Sequence, residues 1–253
     1  MDEVIEFKEA GNLLAQSLAV LAGREGAPAG LCDPSFAPLL MELLRLVLER
    51  NKEVNLTSIK EPSEFVRLHL LDSLACVGMP ELEAAHTIID IGSGAGFPGL
   101  PLAALYPDKQ FLLMDSVRKK IDFAGVLAKE LRLSNVSALH ARAEASARDP
   151  SLREQFDLSL CRAVGKFSPI LEYCMPFVRV GGAGFYYKTI GAKEELADSL
   201  PVLELLGGSL KTRTFTYEDI LPGYEHAIYV ISKERPTPPA YPRRAGIPTK
   251  TPL

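Results

Sequence analysis

Hydrophobic positions recur at helical spacing through the first third of the chain. They then condense into short apolar runs separated by amphipathic stretches. Phe36, Leu39, Leu40, Leu43, Leu44, Val47 and Leu48 form one stripe, with Arg45, Glu49 and Arg50 mostly off it, which predicts a helix with one buried face. A second helix is predicted from Pro62 to Cys76, opened by Pro62 in its first turn. Between them Asn55-Leu56-Thr57-Ser58 reads as a turn or cap. No β pattern is present before residue 80, so this part is expected to be a helical cap.

From Thr87 the pattern changes. Apolar runs at 88–91, 110–115, 136–140, 156–161, 183–187, 210–216 and 227–232 predict seven strands. Stretches at 97–106, 117–131, 168–178 and 193–206 predict helices between them, with Gly181-Gly182 turning the chain into the fifth strand. Strands spaced by helices imply a mostly parallel sheet with right-handed crossovers, and the last two runs look like a closing antiparallel pair. Seven strands ending in a hairpin fit the α/β, Rossmann-like class I methyltransferase arrangement better than a symmetric six-stranded dinucleotide fold. The expected organisation is a helical cap (1–80), a sheet domain (81–235) and a proline-rich basic tail (236–253). The tail, Pro236 to Pro248, has too many prolines for a helix and is expected to be extended, either mobile or docked on the surface.

The chain is organised around Thr87-Ile88-Ile89-Asp90-Ile91-Gly92-Ser93-Gly94-Ala95-Gly96-Phe97-Pro98-Gly99. An apolar run ends in a carboxylate, turns through glycines and resumes as a helix. Such a loop lets the backbone approach a ligand closely, and the N–H groups of the helix start attract anions. Gly94 to Gly99 formally matches the dinucleotide pattern G-x-G-x-x-G. Asp90-x-Gly92-x-Gly94-x-Gly96 matches the S-adenosyl-L-methionine (SAM) pattern, an acid two residues before G-x-G-x-G. Position favours SAM: the apolar run ends at Ile91, so Gly92 opens the turn and Gly94 comes too late to do so. A purely structural turn is the bland alternative.

Composition narrows the class. The 253 residues are 47% hydrophobic and 24% charged, ample for a buried core. No apolar run is long enough to span a membrane, and the N-terminus has no signal-peptide pattern, so a cytoplasmic location is expected. Cys32, Cys76, Cys161 and Cys174 are scattered and read as reduced structural residues. The net charge of −4 does not advertise a nucleic-acid binder, but charge is unevenly spread. The last 21 residues carry Lys233, Arg235, Arg243, Arg244 and Lys250 against Glu234 alone.

Ligands of such sheets bind beyond the carboxyl ends of the strands. Four loops are expected to meet there: the glycine loop, Asp115, Arg142-Ala143-Glu144, and Arg162-Ala163. Asp115 lies about 20 residues beyond the glycines, placed to accept from ribose hydroxyls, a spacing that suits NAD as well as SAM. Each has a bland reading too: Asp115 as a helix cap, Glu144 as a solvated acid, Arg162 as partner of a structural carboxylate. Cys161 could be a nucleophile at a strand end, but a buried thiol is the simpler reading. His69, His86, His140 and His226 are isolated, so no metal site is expected. After the fourth strand the chain reads Cys161-Arg162-Ala163-Val164, where enzymes that methylate exocyclic amines show a Pro-Pro-aromatic turn. An acceptor that needs no deprotonation, such as guanine N7, fits that difference.

The chain resembles the bacterial 16S rRNA guanine-N7 methyltransferase family, RsmG or GidB, from about Asn55 to the C-terminus. The resemblance rests on Asn55-Leu56-Thr57, His69-Leu70-Leu71-Asp72-Ser73, the extended glycine motif through Pro101, Asp115-Ser116-Val117-Arg118-Lys119-Lys120, and Arg162-Ala163. It implies SAM as methyl donor and a guanine in the decoding-region loop of small-subunit rRNA as acceptor. By motif, Gly92, Gly94 and Phe97 would line the SAM site, Asp115 and Ser116 would hold the ribose, Ala143 and Glu144 would border the adenine, and Arg162 would complete the pocket. Arg118, Lys119, Lys188, Arg243 and Arg244 are the candidate RNA contacts of a protein expected to act as a monomer. The tail is expected to help hold RNA and to take no part in SAM binding, with a packing strap as the alternative.

Overall fold

A computed structural model describes residues 2–54, 56–162 and 165–253; Asn55, Ala163 and Val164 of the motifs above lie outside the described residues. Seven strands form one sheet: β1 (Thr87–Ile91), β2 (Gln110–Asp115), β3 (Val136–His140), β4 (Phe156–Arg162), β5 (Val178–Thr189), β6 (Arg213–Thr216) and β7 (His226–Ser232). Their order is β3-β2-β1-β4-β5-β7-β6. The first five are parallel, with Thr87 to Ile91 paired to Gln110 to Met114, and β7 runs antiparallel between β5 and β6. The order reverses between β1 and β4, which makes that junction the switch point where the crevice of an open α/β sheet lies.

The apolar runs are continuous because both sheet faces are covered. Ile88 enters one core and its neighbour Ile89 the other. Tyr186 and Tyr229 pack on the second face with the helix Phe167–Cys174, while Phe185 and Tyr187 join the first. The N-terminal helices α1 (Asp2–Ala22) and α2 (Phe36–Val54) supply Leu14, Leu21, Leu40, Leu44 and Val47 to that first core. The cap thus shares one hydrophobic core with the sheet. Among the described residues no helix is long and apolar enough to cross a membrane.

Four details depart from the sequence pattern. The stretch from Pro62 is helical through Leu74, but its middle, Val66–Leu71, is a π-helical turn. β5 begins before Gly181-Gly182 and bulges there: Val178 pairs with Phe156 and Ala183 with Leu158, Gly181 turns the chain at a φ of +87°, and a Cβ at Gly182 would sit 2.5 Å from the Asp157 carbonyl. The predicted helix over 193–206 is two, Lys193–Asp198 and Leu200–Leu205, divided at Ser199, with Pro201 in the first turn of the second. The tail is docked, and it does contain a helical turn, Ile247–Lys250, which Pro248 enters at its first turn, where a missing N–H does no harm.

Candidate active site

A cavity of about 510 Å³ opens beyond the carboxyl ends of β1 to β4. The residues after β1 turn sharply because glycine tolerates positive φ: Gly92, Gly94 and Gly96 stand at +75°, +58° and +101°. A Cβ added at Gly94 would meet nothing within 4 Å, so the loop leaves open space above its backbone. Asp90 sits below the loop, fully buried, and its Oδ2 accepts from the Gly99 N–H at 2.9 Å. Burial pushes its carboxyl up to about 7. Asp90 thus builds the turn and does not line the cavity.

Asp115, at the end of β2, accepts from Gly94 N–H at 2.9 Å through Oδ2 and from Val117 N–H at 2.7 Å through Oδ1. It ties the glycine loop to the start of the helix Arg118–Glu130 while facing the cavity. Gly92, Gly94, Phe97, Ser116, Ala143, Glu144 and Arg162 all line the same space. The residues that the sequence motifs single out for a cofactor thus share one cavity. Glu144 is not a solvated acid: it is buried and accepts from the Gly246 N–H of the tail at 2.9 Å.

Arg162, at the end of β4, joins the sheet to the cap. Its guanidinium donates to the Leu68 carbonyl at 2.9 Å, to Asp72 Oδ2 at 2.8 Å and to His69 Nδ1 at 3.0 Å. Asp72 also accepts from Tyr217 at 2.6 Å and pairs with His226 at 3.3 Å. Burial opposes its charge, but these partners hold its carboxyl below the usual range. The His69 ring stacks on Phe97 at 4.9 Å, and its Nε2 lies 2.8 Å from Thr57 Oγ1. Burial, reinforced by the Arg162 charge, lowers its pKa to about 3, so the ring is neutral. Sequence reasoning gave His69 and Thr57 no site role. Both line the cavity, and the signal that could have found them was their place in the two cap motifs.

Two expectations for the remaining residues are corrected. The tail is a strap: Arg243 pairs with the buried Glu172 at 2.8 Å, Arg153 donates to the Tyr241 and Thr237 carbonyls, and Thr249, bonded to Tyr173 at 2.6 Å, lines the cavity. The tail therefore reaches the pocket it was expected to leave alone. Lys188 is bound to Glu195 at 2.7 Å and lies over the Phe167 ring, so like Arg243 its charge is used internally. Cys161, within β4, is buried, as the simpler reading has it, and is not among the cavity residues. Arg118, Lys119 and Arg244 remain exposed.

Residues 37–217 match the profile of the family described as rRNA small subunit methyltransferase G, GidB. The chain belongs to the rRNA small subunit methyltransferase G family. A relative from Lachnoclostridium phytofermentans, named ribosomal RNA small subunit methyltransferase G, is 42% identical over 209 residues, covering 82% of this chain and 86% of the relative. Another of that name from Desulfitobacterium hafniense is 43% identical over 208 residues, covering 82% and 85%. Among solved structures, an O-methyltransferase of Bacillus cereus in complex with SAH superposes with a TM-score of 0.50 at 20% identity, covering 76% of this chain and 91% of that one. A putative O-methyltransferase of Klebsiella pneumoniae gives a TM-score of 0.52 at 15% identity, covering 76% and 90%. These two share the fold, a class I methyltransferase sheet.

The donor set fits SAM. The open space over Gly94, the buried Ser93 Oγ without a partner among the described residues, and the Asp115 carboxylate together offer a backbone cradle, a hydroxyl and an anion.

Proposed function

We propose that this protein transfers a methyl group from SAM to N7 of one guanine in the decoding-region loop of 16S rRNA, within the small ribosomal subunit or its precursor. The cavity at the β1/β4 switch point, walled by Gly92, Gly94 and Asp115, carries this reading. Asp115 and Ser116 would hold the ribose, Ala143 and Glu144 the adenine, and Phe97 and Arg162 the methyl end. SAM supplies an electrophilic methyl on a sulfonium. Guanine N7 offers an in-plane lone pair and carries no proton, so no general base is required and positioning dominates. The burial of Cys161 away from the cavity supports transfer without a thiol nucleophile.

Residues 1–80 close the acceptor end, 81–235 hold the cofactor, and 236–253 brace the adenine side. Arg118, Lys119 and Arg244 are free to meet phosphates, which suits an otherwise acidic protein. Isothermal titration should show SAM binding and no NADH binding. Incubation with SAM and unmodified small-subunit rRNA should place one methyl group on a guanine N7. Binding of NADH in preference to SAM, or methylation of a pyrimidine carbon with a covalent Cys161 adduct, would overturn the assignment.

A further inference from the structure

Thr57 stands where the cap meets the cavity, and its hydroxyl is committed on its acceptor side. The Ile59 N–H donates to Thr57 Oγ1 at 3.1 Å. The second partner is His69 Nε2 at 2.8 Å, and its role follows from the other ring nitrogen. A guanidinium can only donate. Arg162 Nη2, 3.0 Å from His69 Nδ1, therefore requires a lone pair there, and the neutral ring carries its proton on Nε2. That proton points at Thr57 Oγ1. Both acceptor positions of the hydroxyl are filled, and only its own proton is left to offer. Among the described residues none of the hydrogen bonds of Thr57 takes it. The chain of donors is anchored at its far end by Asp72, buried and bonded to Arg162, Tyr217 and His226.

The place of this hydroxyl in the cavity follows from the sheet. Ala141 to Glu144 follow β3, Asp115 ends β2, and the glycine loop follows β1. Thr57 and His69 meet Phe97 and Arg162 at the other end, where β1 adjoins β4. If the adenine lies along Ala143 and Glu144, as the functional reading has it, the methyl group and the acceptor base lie beside Thr57.

We propose that Thr57 is a specificity-determining residue that donates its hydroxyl hydrogen to O6 of the target guanine. The inference rests on the functional reading above. O6 neighbours N7 on the same edge of the base, so a donor to O6 fixes the direction of the N7 lone pair. Adenine presents an amino group at that position, and a hydroxyl whose acceptor sites are filled cannot accept from it. A donor to O6 does not raise the nucleophilicity of N7, since it draws electron density from the ring. Its effect is selection and orientation, with Arg162 and His69 as positioning residues that set the direction of the hydroxyl.

The test compares small-subunit rRNA carrying guanine at the target position with the same RNA carrying 2-aminopurine there, which keeps N7 and lacks O6. Wild type, Thr57→Val and Thr57→Ser are assayed on both, with SAM affinity measured alongside as a check on folding. In Thr57→Val, kcat/KM on guanine should fall about tenfold further than on 2-aminopurine, the size of the one hydrogen bond lost to O6, because the acceptor taken from His69 and from the Ile59 N–H is missing equally on both bases. Thr57→Ser should behave as wild type, and all three should bind SAM within twofold of one another. A Thr57→Val protein that loses activity equally on both bases, or loses none, overturns the role of Thr57 and leaves the functional reading intact. A wild-type protein that binds SAM but places no methyl on N7 overturns both.

Discussion

Asp115 combines the two roles that its position in the sequence suggested separately. Its carboxylate bonds to the Val117 N–H as a helix-start residue would, and to the Gly94 N–H as a brace of the glycine loop, while it faces the cavity. A carboxylate at that spot can accept from ribose hydroxyls through its remaining lone pairs. Asp115→Ala should weaken SAM binding by about 1–3 kcal/mol, the range for lost charge-assisted hydrogen bonds, with the fold retained because β2 and its neighbours do not depend on it. Titration calorimetry with SAM decides this: unchanged affinity would leave Asp115 as a structural brace only. Arg162 illustrates the converse. Read from sequence as a pocket residue, it lines the pocket and also ties the Leu68 carbonyl, Asp72 and His69 to the end of β4.

Among the elements, the C-terminal strap differs most from its sequence appearance. Its basic residues and prolines suggest a phosphate-binding arm. In the fold, Thr237 meets Lys233 and the Leu206 carbonyl, Arg243 neutralises a carboxylate whose side chain is 1% exposed, and Gly246 bonds Glu144. Lys233 is itself buried, which lowers its pKa to about 8. Deleting residues 236–253 would strand Glu172 in the core without its cation. Removing one partner of a buried pair is destabilising by about 3–5 kcal/mol. The truncated protein should therefore melt roughly 10 °C lower and bind SAM more weakly, because Thr249 and the partner of Glu144 are gone. Differential scanning calorimetry of the full and truncated chains measures it; an unchanged melting temperature would return the tail to the role of an RNA arm. The π-helical turn Val66–Leu71 is the second such element, since it carries the Leu68 carbonyl and the His69 ring that meet Arg162.

Across the whole molecule, three groups shape the response to pH. His69 stays neutral in the fold down to about 3. Below its unfolded pKa of about 6.5 the unfolded chain binds the extra proton, so this residue lowers stability as pH falls from there to about 3. Asp90 acts in the opposite sense, because its carboxyl is raised to about 7 by burial: the folded state holds a proton that the unfolded state releases above about 4. The two nearly cancel between pH 4 and 6.5. His226, raised mainly by its bond to Asp72, contributes stability that is full below about 6.5 and is lost as pH rises through its folded pKa. Comparing wild type with His69→Gln by urea titration isolates the first group. The stability difference should be constant above pH 6.5 and change by about 1.4 kcal/mol per pH unit below it, in favour of the variant. A difference independent of pH would mean that His69 protonates equally in both states.

Periodicity and chain order determined much of this protein. Apolar runs spaced by helical stretches specify a covered parallel sheet, because a strand buried on both faces needs continuous hydrophobicity. The glycines and Asp115 fall at strand ends for the same reason that they meet: parallel strands bring all their carboxyl ends to one edge. What the sequence left open are contacts between residues far apart in the chain. Nothing local tells that Arg243 will find Glu172, or that Arg162 will fix the tautomer of His69 and so the direction of the Thr57 hydroxyl. A charged side chain reads alike in sequence whether it faces water or a buried partner, and only the packing of cap, sheet and strap around one cavity decides which.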